Sequence, residues 1–252
     1  MNRRSAERGF PSSLTCHNAH TIVPLVMPDY RSMAADREPV LALVSGGLDS
    51  LVLVRGLLRN GATVWPVYLR FGLFWEPTEL HWLRRWLARI HSPAVKPLAV
   101  LPVSIAELYQ GHWSLTGRNI PASASPDEAV YLPGRNVLLL SHAAIYGARQ
   151  GVSRLALGTL AGNPFGDATP TFFRRFAACL SQGLGREIRV NTPLRHMSKA
   201  QLVKQFPQEP YDLTFSCLRP RRMRHCGRCN KCAERKRAFR QADVDDPTRY
   251  AT

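Results

Sequence analysis

Apolar residues along this chain fall into short continuous runs that alternate with longer stretches of helical spacing. The first run, residues 40–44, is apolar throughout, which predicts a strand buried on both faces, as in a parallel sheet. Similar runs predict further strands at 63–69, 98–103, 154–157 and 188–190. Helical spacing predicts helices at 51–60, 78–90, 137–149 and 170–180. This alternation predicts an α/β fold with a doubly wound, mostly parallel sheet and helices on both faces.

The same pattern divides the chain into three predicted parts. Residues 1–38 are polar, with scattered prolines and no sustained period, which predicts a flexible N-terminal extension where only 21–26 could pack as an edge segment. Residues 39–195 carry the alternation of strands and helices and form the predicted α/β domain. Residues 196–252 form a predicted C-terminal helical lobe.

A glycine-rich turn joins the first predicted strand to the first predicted helix. Its sequence is Ser45-Gly46-Gly47-Leu48-Asp49-Ser50. Two consecutive glycines let backbone N–H groups face a ligand, and the start of the helix adds its unpaired donors and its positive dipole end, which suits a pyrophosphate. The alternative is an ordinary Gly-Gly turn capped by Asp49 or Ser50. The chain lacks the motif G-x-x-x-x-G-K-[ST], which disfavours a Walker-type phosphoryl transferase.

A second turn of chemical interest precedes the helix predicted at 137–149. Pro133 and Gly134 make the turn, and Asn136 is placed to cap the helix. Arg135 then points outward from a rigid corner, where its guanidinium could bind a phosphate or carboxylate in two-pronged fashion. The alternative is a solvated arginine beside a plain Pro-Gly turn.

A third motif opens a further helix after Thr192-Pro193-Leu194. Ser198 is a natural N-cap for this helix, and Lys199 occupies its first turn. A cation at that place is unfavourable unless it meets an anion, because the helix start is the positive end of the dipole. Lys199 is therefore a candidate phosphate ligand.

Four cysteines cluster near the C-terminus, at Cys217, Cys226, Cys229 and Cys232. Four thiolates can close a tetrahedral zinc site that leaves no position for water, so such a zinc would be structural. An iron–sulfur cluster and redox cysteines are the alternatives. Cys179 lies in an apolar helical pattern and is expected to be a small buried residue.

Charge and composition narrow the function classes. The net charge is +16, and the segment from Cys217 to Arg240 holds ten lysines and arginines against one acid, Glu234. This segment could bind phosphates or nucleic acid, or could simply be a solvated face, and charge alone does not separate the two. No run of 18 apolar residues predicts a membrane span. Clustered cysteines without a disulfide framework are typical of the reducing cytoplasm.

In this order and spacing, S-G-G-x-D-S, P-G-R-N, T-P-L with S-K-A, and C with C-G-x-C-x-x-C resemble the 7-cyano-7-deazaguanine synthases, a family of the PP-loop ATP pyrophosphatases. The resemblance covers about residues 40–240 and implies an adenine-nucleotide α-hydrolase-like fold. It implies ATP with Mg²⁺ and Zn²⁺ as cofactors. The four clustered cysteines would hold the zinc. The ATP ligands would be Ser45, Gly46, Gly47, Leu48, Asp49 and Ser50, and the catalytic residues Asp49, Arg135 and Lys199.

The family resemblance also implies a reaction and its partners. ATP would adenylate the 7-carboxylate of 7-carboxy-7-deazaguanine, ammonia would displace AMP to give an amide, and a second adenylation would allow elimination to the nitrile. This chemistry needs no side-chain nucleophile, so catalysis would depend on positioning and electrostatic stabilisation. A homodimer and a contact between nucleic acid and the basic C-terminal lobe are further possibilities.

The chain departs from the family pattern on the substrate side. Residues 70–76 replace the family's Q-R-H region, and the loop at 161–169 is shortened, with Thr169 where an arginine is expected. Asp167 still matches the family's aspartate and would accept hydrogen bonds from the N–H groups of a guanine-like edge, with Phe165 beside it. The alternatives are a divergent PP-loop enzyme that adenylates another carboxylate or thiolates tRNA, and a zinc-knuckle protein that only binds nucleic acid.

Overall fold

The strands form a single five-stranded parallel sheet in the order β3-β2-β1-β4-β5. The computed structural model describes residues 28–30 and 38–251. The strands are β1 Pro39–Leu43, β2 Thr63–Arg70, β3 Ala99–Pro102, β4 Arg154–Leu157 and β5 Arg189–Asn191. The chain proceeds from β1 outward to β3 and then crosses to β4 on the other side of β1, so the strand order reverses between β1 and β4. Ligands of open α/β sheets bind at such a switch point, outside the carboxyl ends of the strands.

Helices cover both faces of the sheet. They are α1 Leu48–Arg59, α2 Glu76–Ala88, α3 Trp113–Thr116, α4 Arg135–Arg149, α5 Pro170–Leu184, α6 Lys199–Gln205 and α7 Asn230–Ala242. Short 3₁₀ turns lie at Asp127–Val130, Gly166–Ala168 and Tyr211–Leu213. Alternate residues of β1 enter opposite cores: Val40 and Ala42 pack with α1, whereas Leu41 and Leu43 pack with α4. The predicted doubly wound fold is confirmed. No helix of the described segments is long and apolar enough to cross a bilayer.

The predicted cap of α4 is wrong. The helix begins at Arg135, with Gly134 as the N-cap at φ 71°, so Asn136 lies inside the first turn. The backbone N–H of Asn136 donates to Asp167 Oδ2 at 3.0 Å, and its side-chain amide donates to the carbonyl oxygen of Asp167 at 3.0 Å. The helix start is therefore satisfied by a carboxylate from a distant loop, which local sequence cannot reveal.

Cys179 is exposed, which corrects the expectation of a buried residue. It lies on α5, where Phe173 is the one fully buried residue. The neighbouring Phe172 and Phe176 are half-buried and stack on each other with ring centroids 5.3 Å apart. Because α5 is only partly covered, a small side chain on it remains in contact with solvent.

Residues 28–30, inside the predicted N-terminal extension, contact the α/β domain. The Asp29 N–H donates to the Pro193 carbonyl at 2.9 Å, and the Tyr30 hydroxyl donates to the Val52 carbonyl at 3.2 Å. Tyr30 is buried against Gly56 of α1. The predicted edge segment at 21–26 lies outside the described residues, and the division at 38 and 195 stays a prediction.

The substitution Gly56→Ala is expected to lower the free energy of unfolding by about 1–3 kcal/mol. An added Cβ would collide with the Tyr30 ring and hydroxyl, so the tyrosine would have to leave its site. The matched control is Gly183→Ala on α5, where a Cβ meets no atom within 4 Å. This control should gain about 1 kcal/mol from helix propensity. Urea unfolding of the two variants measures the difference, and equal stability would contradict the packing of Tyr30.

Candidate active site

The glycine-rich turn forms the floor of the site at the carboxyl end of β1. Gly46 has φ 80°, and a side chain there would press on the Glu79 carbonyl at 3.1 Å. The Ser45 N–H donates to Ser50 Oγ at 2.9 Å, which fixes the turn from inside. Gly47 is the N-cap of α1 and no side chain caps that helix start. Ser50 thus closes the turn itself, while the first N–H groups of α1 have no side-chain cap and are open to a ligand.

Two cavities open from this turn. The first, which we call the loop cavity, has a volume of about 260 Å³ and lies against Gly47, Trp75, Tyr131 and Lys199. The second, the strand-end cavity, has a volume of about 160 Å³ and lies among the carboxyl ends of β1, β2 and β4. Six residues line both cavities and so mark their junction: Ser45, Asp49, Glu79, Arg135, Asn136 and Asn163.

Lys199 forms ion pairs with two carboxylates of the protein itself. Its Nζ donates to Glu234 Oε1 at 2.9 Å and lies 3.7 Å from Asp49 Oδ2. Lys231 lies 2.9 Å from the other oxygen of Glu234. Burial lowers the pKa of Lys199, but the two carboxylates outweigh it and hold that pKa above its ordinary value. The unfavourable lysine at the start of α6 is thus compensated in part by side chains, while Lys199 and Lys231 both still line the loop cavity.

Two buried polar atoms at the junction have no hydrogen-bond partner among the described residues. They are Oδ1 of Asp49, an acceptor, and Nε of Arg135, a donor. An unsatisfied buried group costs about 1–3 kcal/mol, so a ligand with complementary groups would stabilise both. Phosphate or carboxylate oxygens fit the arginine, and a hard divalent cation fits the aspartate. The residues present therefore fit ATP with Mg²⁺.

Aromatic side chains wall the other side of the loop cavity. Tyr131 and Phe165 stack with ring centroids 4.8 Å apart and 29° between their planes. Trp75 is buried beside them and stacks on Trp113 at 5.7 Å. Phe165 was expected here from the family resemblance, whereas Tyr131 and Trp75 were missed. Flat walls of this kind favour a planar heteroaromatic ligand.

Asp167, predicted to bind the substrate, lines the loop cavity near this aromatic wall. It is 9% exposed, and one of its oxygens is already engaged by the Asn136 N–H described above. It therefore combines the capping of α4 with a position from which a carboxylate can meet a ligand's N–H groups.

The segment that departs from the family pattern is held by Glu76. The Glu76 carboxylate accepts the backbone N–H of Phe71 at 2.7 Å and of Gly72 at 2.8 Å. Burial raises the pKa of Glu76, and these backbone donors oppose that rise. These two hydrogen bonds fix the chain between β2 and α2 and so position Trp75. Nothing local in the sequence indicated this role.

The predicted cysteine site is assembled. The Sγ atoms of Cys217, Cys226, Cys229 and Cys232 all lie within 4.8 Å of one another, and the four residues are buried. Cys217 to Cys229 and Cys226 to Cys232 are each 3.9 Å apart, close to the roughly 3.8 Å edge of a tetrahedron with zinc–sulfur bonds of about 2.3 Å. Backbone N–H groups point at the sulfurs, as in the 3.2 Å contact from Cys226 N to Cys217 Sγ. The cluster fits one metal ion with four sulfur ligands.

The parallel sheet, the uncapped glycine turn and the cavities at the switch point define a PP-loop nucleotide-binding protein. The family model described as queuosine biosynthesis protein QueC matches residues 39–243. The chain therefore belongs to the QueC family.

Named relatives agree with this assignment. The 7-cyano-7-deazaguanine synthase of Chlorobaculum tepidum is 31% identical over 219 residues, which cover 82% of this chain and 94% of the relative. That of Methanothrix thermoacetophila is 30% identical over 227 residues, covering 83% of this chain and 97% of the relative.

Among solved structures, a U34-tRNA thiolase from Methanococcus maripaludis, with its [4Fe-4S] cluster, aligns with a TM-score of 0.44 and 10% identity over 86% of this chain and 76% of that one.

Proposed function

We propose that this protein is an ATP-dependent ligase that converts 7-carboxy-7-deazaguanine and ammonia to 7-cyano-7-deazaguanine through adenylated intermediates. The observation that carries the proposal is the junction of two cavities at the PP-loop. One cavity lies among the strand ends and the other lies against Tyr131, Phe165 and Asp167. A nucleotide and a planar carboxylate bound on either side would meet at this junction, which is what adenylation requires.

The residues at and around the junction would have different roles in the reaction. The turn from Ser45 to Ser50 would hold the leaving pyrophosphate with backbone N–H groups. Arg135 would stabilise the negative charge that develops as the carboxylate attacks the phosphate. Lys199 would neutralise negative charge on the phosphate oxygens. Asp49 would hold Mg²⁺ through its unpartnered oxygen, and the metal would supply electrostatic stabilisation of the phosphates.

The cysteine cluster supports zinc as a structural cofactor rather than a reactive site. All four sulfurs are turned towards one another, and no cysteine lines the loop cavity in the part of the chain that the structure describes. Sulfur transfer to tRNA would need a sulfur carrier at that cavity, so the ligase is favoured over the thiolating alternative. Free thiolates that bind metal also favour a reducing, cytoplasmic location.

Mass spectrometry of the reaction tests the proposal. The purified protein is incubated with ATP, Mg²⁺, ammonium and 7-carboxy-7-deazaguanine, and the nitrile, AMP and pyrophosphate are quantified. We expect two AMP and two pyrophosphate per nitrile, because the acid and the amide are each adenylated once. If the protein cleaves ATP with a different acid and not with 7-carboxy-7-deazaguanine, the adenylation chemistry would stand. The named acid would then be excluded as the substrate.

The substitution Asp167→Asn is expected to lower kcat/KM for the deazaguanine acid by about 10–100-fold, because it removes a charged acceptor and puts a donor against the base's N–H groups. The KM for ATP should change less than about threefold. Asparagine keeps an oxygen that can accept the Asn136 N–H, so α4 should stay capped. An unchanged melting temperature verifies the cap, and wild-type handling of the acid would exclude base recognition by Asp167.

A further inference from the structure

Glu79 occupies the junction of the two cavities but has no place in the roles assigned so far. Asp49 and Glu79 are the two carboxyl groups among the six junction residues. Asp49 lies 3.7 Å from the ammonium of Lys199, whereas Glu79 forms no ion pair within residues 28–30 and 38–251. A buried carboxyl without a counter-ion is costly, so its position at a reaction centre calls for a chemical reason.

The orientation of Glu79 is fixed from two sides. Tyr68, on β2, donates its hydroxyl to Glu79 Oε2 at 2.7 Å. The backbone of α2 at Glu79 lies directly under Gly46 of the PP-loop, with the Glu79 carbonyl 3.1 Å from where a Cβ of Gly46 would be. Glu79 Oε1 makes no hydrogen bond to a described residue, and Glu79 lines both cavities. The carboxyl is thus held at the phosphate loop with one oxygen free.

The surroundings raise the pKa of Glu79 well above the ordinary value of a glutamate. Burial raises its pKa to about 8, the Tyr68 hydrogen bond and the Arg135 charge oppose that rise, and the Glu76 carboxylate adds to it. The hydrogen bond comes from Tyr68 on β2, and the charges come from Arg135 on α4 and Glu76 on α2. A group with such a pKa can accept and release a proton at the pH of the reaction.

We propose that Glu79 is a catalytic proton acceptor for the substrate nitrogen at the junction of the two cavities. This inference rests on the proposed ligase function. In the first round, the lone pair of ammonia forms the new C–N bond, the C–O bond to AMP breaks with its electrons on the phosphate oxygen, and one nitrogen proton passes to Glu79. Glu79 then releases this proton to solvent. In the second round, the amide oxygen is adenylated and one nitrogen proton is lost to solvent, which leaves a neutral imidate. The remaining N–H bond breaks, its electron pair forms the third C–N bond, the C–O bond to AMP breaks with its electrons on the phosphate oxygen, and that proton passes to Glu79.

The test separates adenylation from the nitrogen steps. Pyrophosphate exchange into ATP, with the acid and without ammonium, moves no nitrogen proton and should stay within about threefold of wild type in Glu79→Gln. Nitrile formation should fall by about 10²–10⁴-fold, the usual contribution of a general base. Glutamine keeps an oxygen for the Tyr68 hydroxyl, so the local structure should persist.

The pH dependence of nitrile formation separates a catalytic role of Glu79 from a purely structural one. Wild-type nitrile formation should rise with pH through a limb near pH 8, where Glu79 loses its proton. That limb should vanish in Glu79→Gln. It should move to higher pH in Tyr68→Phe, the matched control, because the lost hydrogen bond is one that lowers the pKa of Glu79.

Each outcome decides between the two proposals. Nitrile formation by Glu79→Gln within threefold of wild type overturns the role of Glu79 and leaves the ligase function standing. An equal loss of pyrophosphate exchange and nitrile formation also overturns it, since Glu79 would then act on ATP. Wild-type protein that makes no nitrile overturns the ligase function itself, and the role of Glu79 in it.

Discussion

Asp49→Asn is expected to reduce ATP-dependent turnover by about 10²–10³-fold, the scale of losing one preorganised electrostatic contact at a reaction centre. Asparagine has the same shape, so the first turn of α1 and the PP-loop should keep their geometry. The charge that would hold Mg²⁺ and that lies 3.7 Å from Lys199 is lost. Pyrophosphate exchange and nitrile formation should therefore fall together, in contrast to Glu79→Gln, which is expected to spare exchange.

The control for Asp49→Asn is Asp212→Asn, which removes an exposed carboxylate away from both cavities. Full activity in this control shows that a change of one unit in net charge is tolerated. Melting temperatures of both variants establish that each is folded. If Asp49→Asn retained activity within about threefold of wild type, the assignment of the S-G-G-x-D-S turn to ATP phosphates would be wrong.

Features set by local periodicity were predictable from sequence. The apolar run of β1 and the helical spacing of α1 gave both elements and the turn between them, because burial on both faces leaves a distinct pattern. The cysteine cluster was predictable for a similar reason. Four sulfurs at knuckle spacing have few other uses, and the structure brings them within 4.8 Å of one another.

Features set by tertiary contacts were not predictable. Asp167 caps α4 from 31 residues away, so Asn136 looked like the cap although it lies in the first turn. Glu79 reaches the site because α2 passes under the PP-loop and β2 brings Tyr68 to it. Both arrangements depend on the order of the strands in the sheet, and a single amino-acid sequence does not show that order.

The lysine at the start of α6 connects the glycine-rich turn to α7. Lys199 contacts Asp49 of α1 and Glu234 of α7, and Glu234 in turn contacts Lys231. Burial raises the pKa of Glu234, but the two lysines outweigh it and lower that pKa to about 2. Glu234 therefore stays ionised at neutral pH and keeps both lysines at the loop cavity. Any change that displaces α7 should therefore disturb the loop cavity.

Cys232→Ser is expected to abolish metal binding and to lower the free energy of unfolding by several kcal/mol. Structural zinc contributes about 10–16 kcal/mol in zinc-finger peptides, which is as large as the whole stability of a typical domain. Cys229 is the N-cap of α7 and Cys232 lies in its first turn, so loss of the ion would release the start of that helix. Activity should fall with stability, because Lys231 and Glu234 lie on the same turns.

Cys179→Ser is the matched control for Cys232→Ser, because Cys179 is an exposed thiol on α5, outside the cluster. It should leave metal content, melting temperature and nitrile formation unchanged. Elemental analysis of freshly purified wild type should find about one zinc per chain and no iron, since a closed four-cysteine site suits zinc. Iron with visible absorption would identify a cluster instead. A wild-type chain that is metal-free and as stable as a metal-loaded one would show that these four sulfurs pack together without an ion, and that α7 is held by its protein contacts alone.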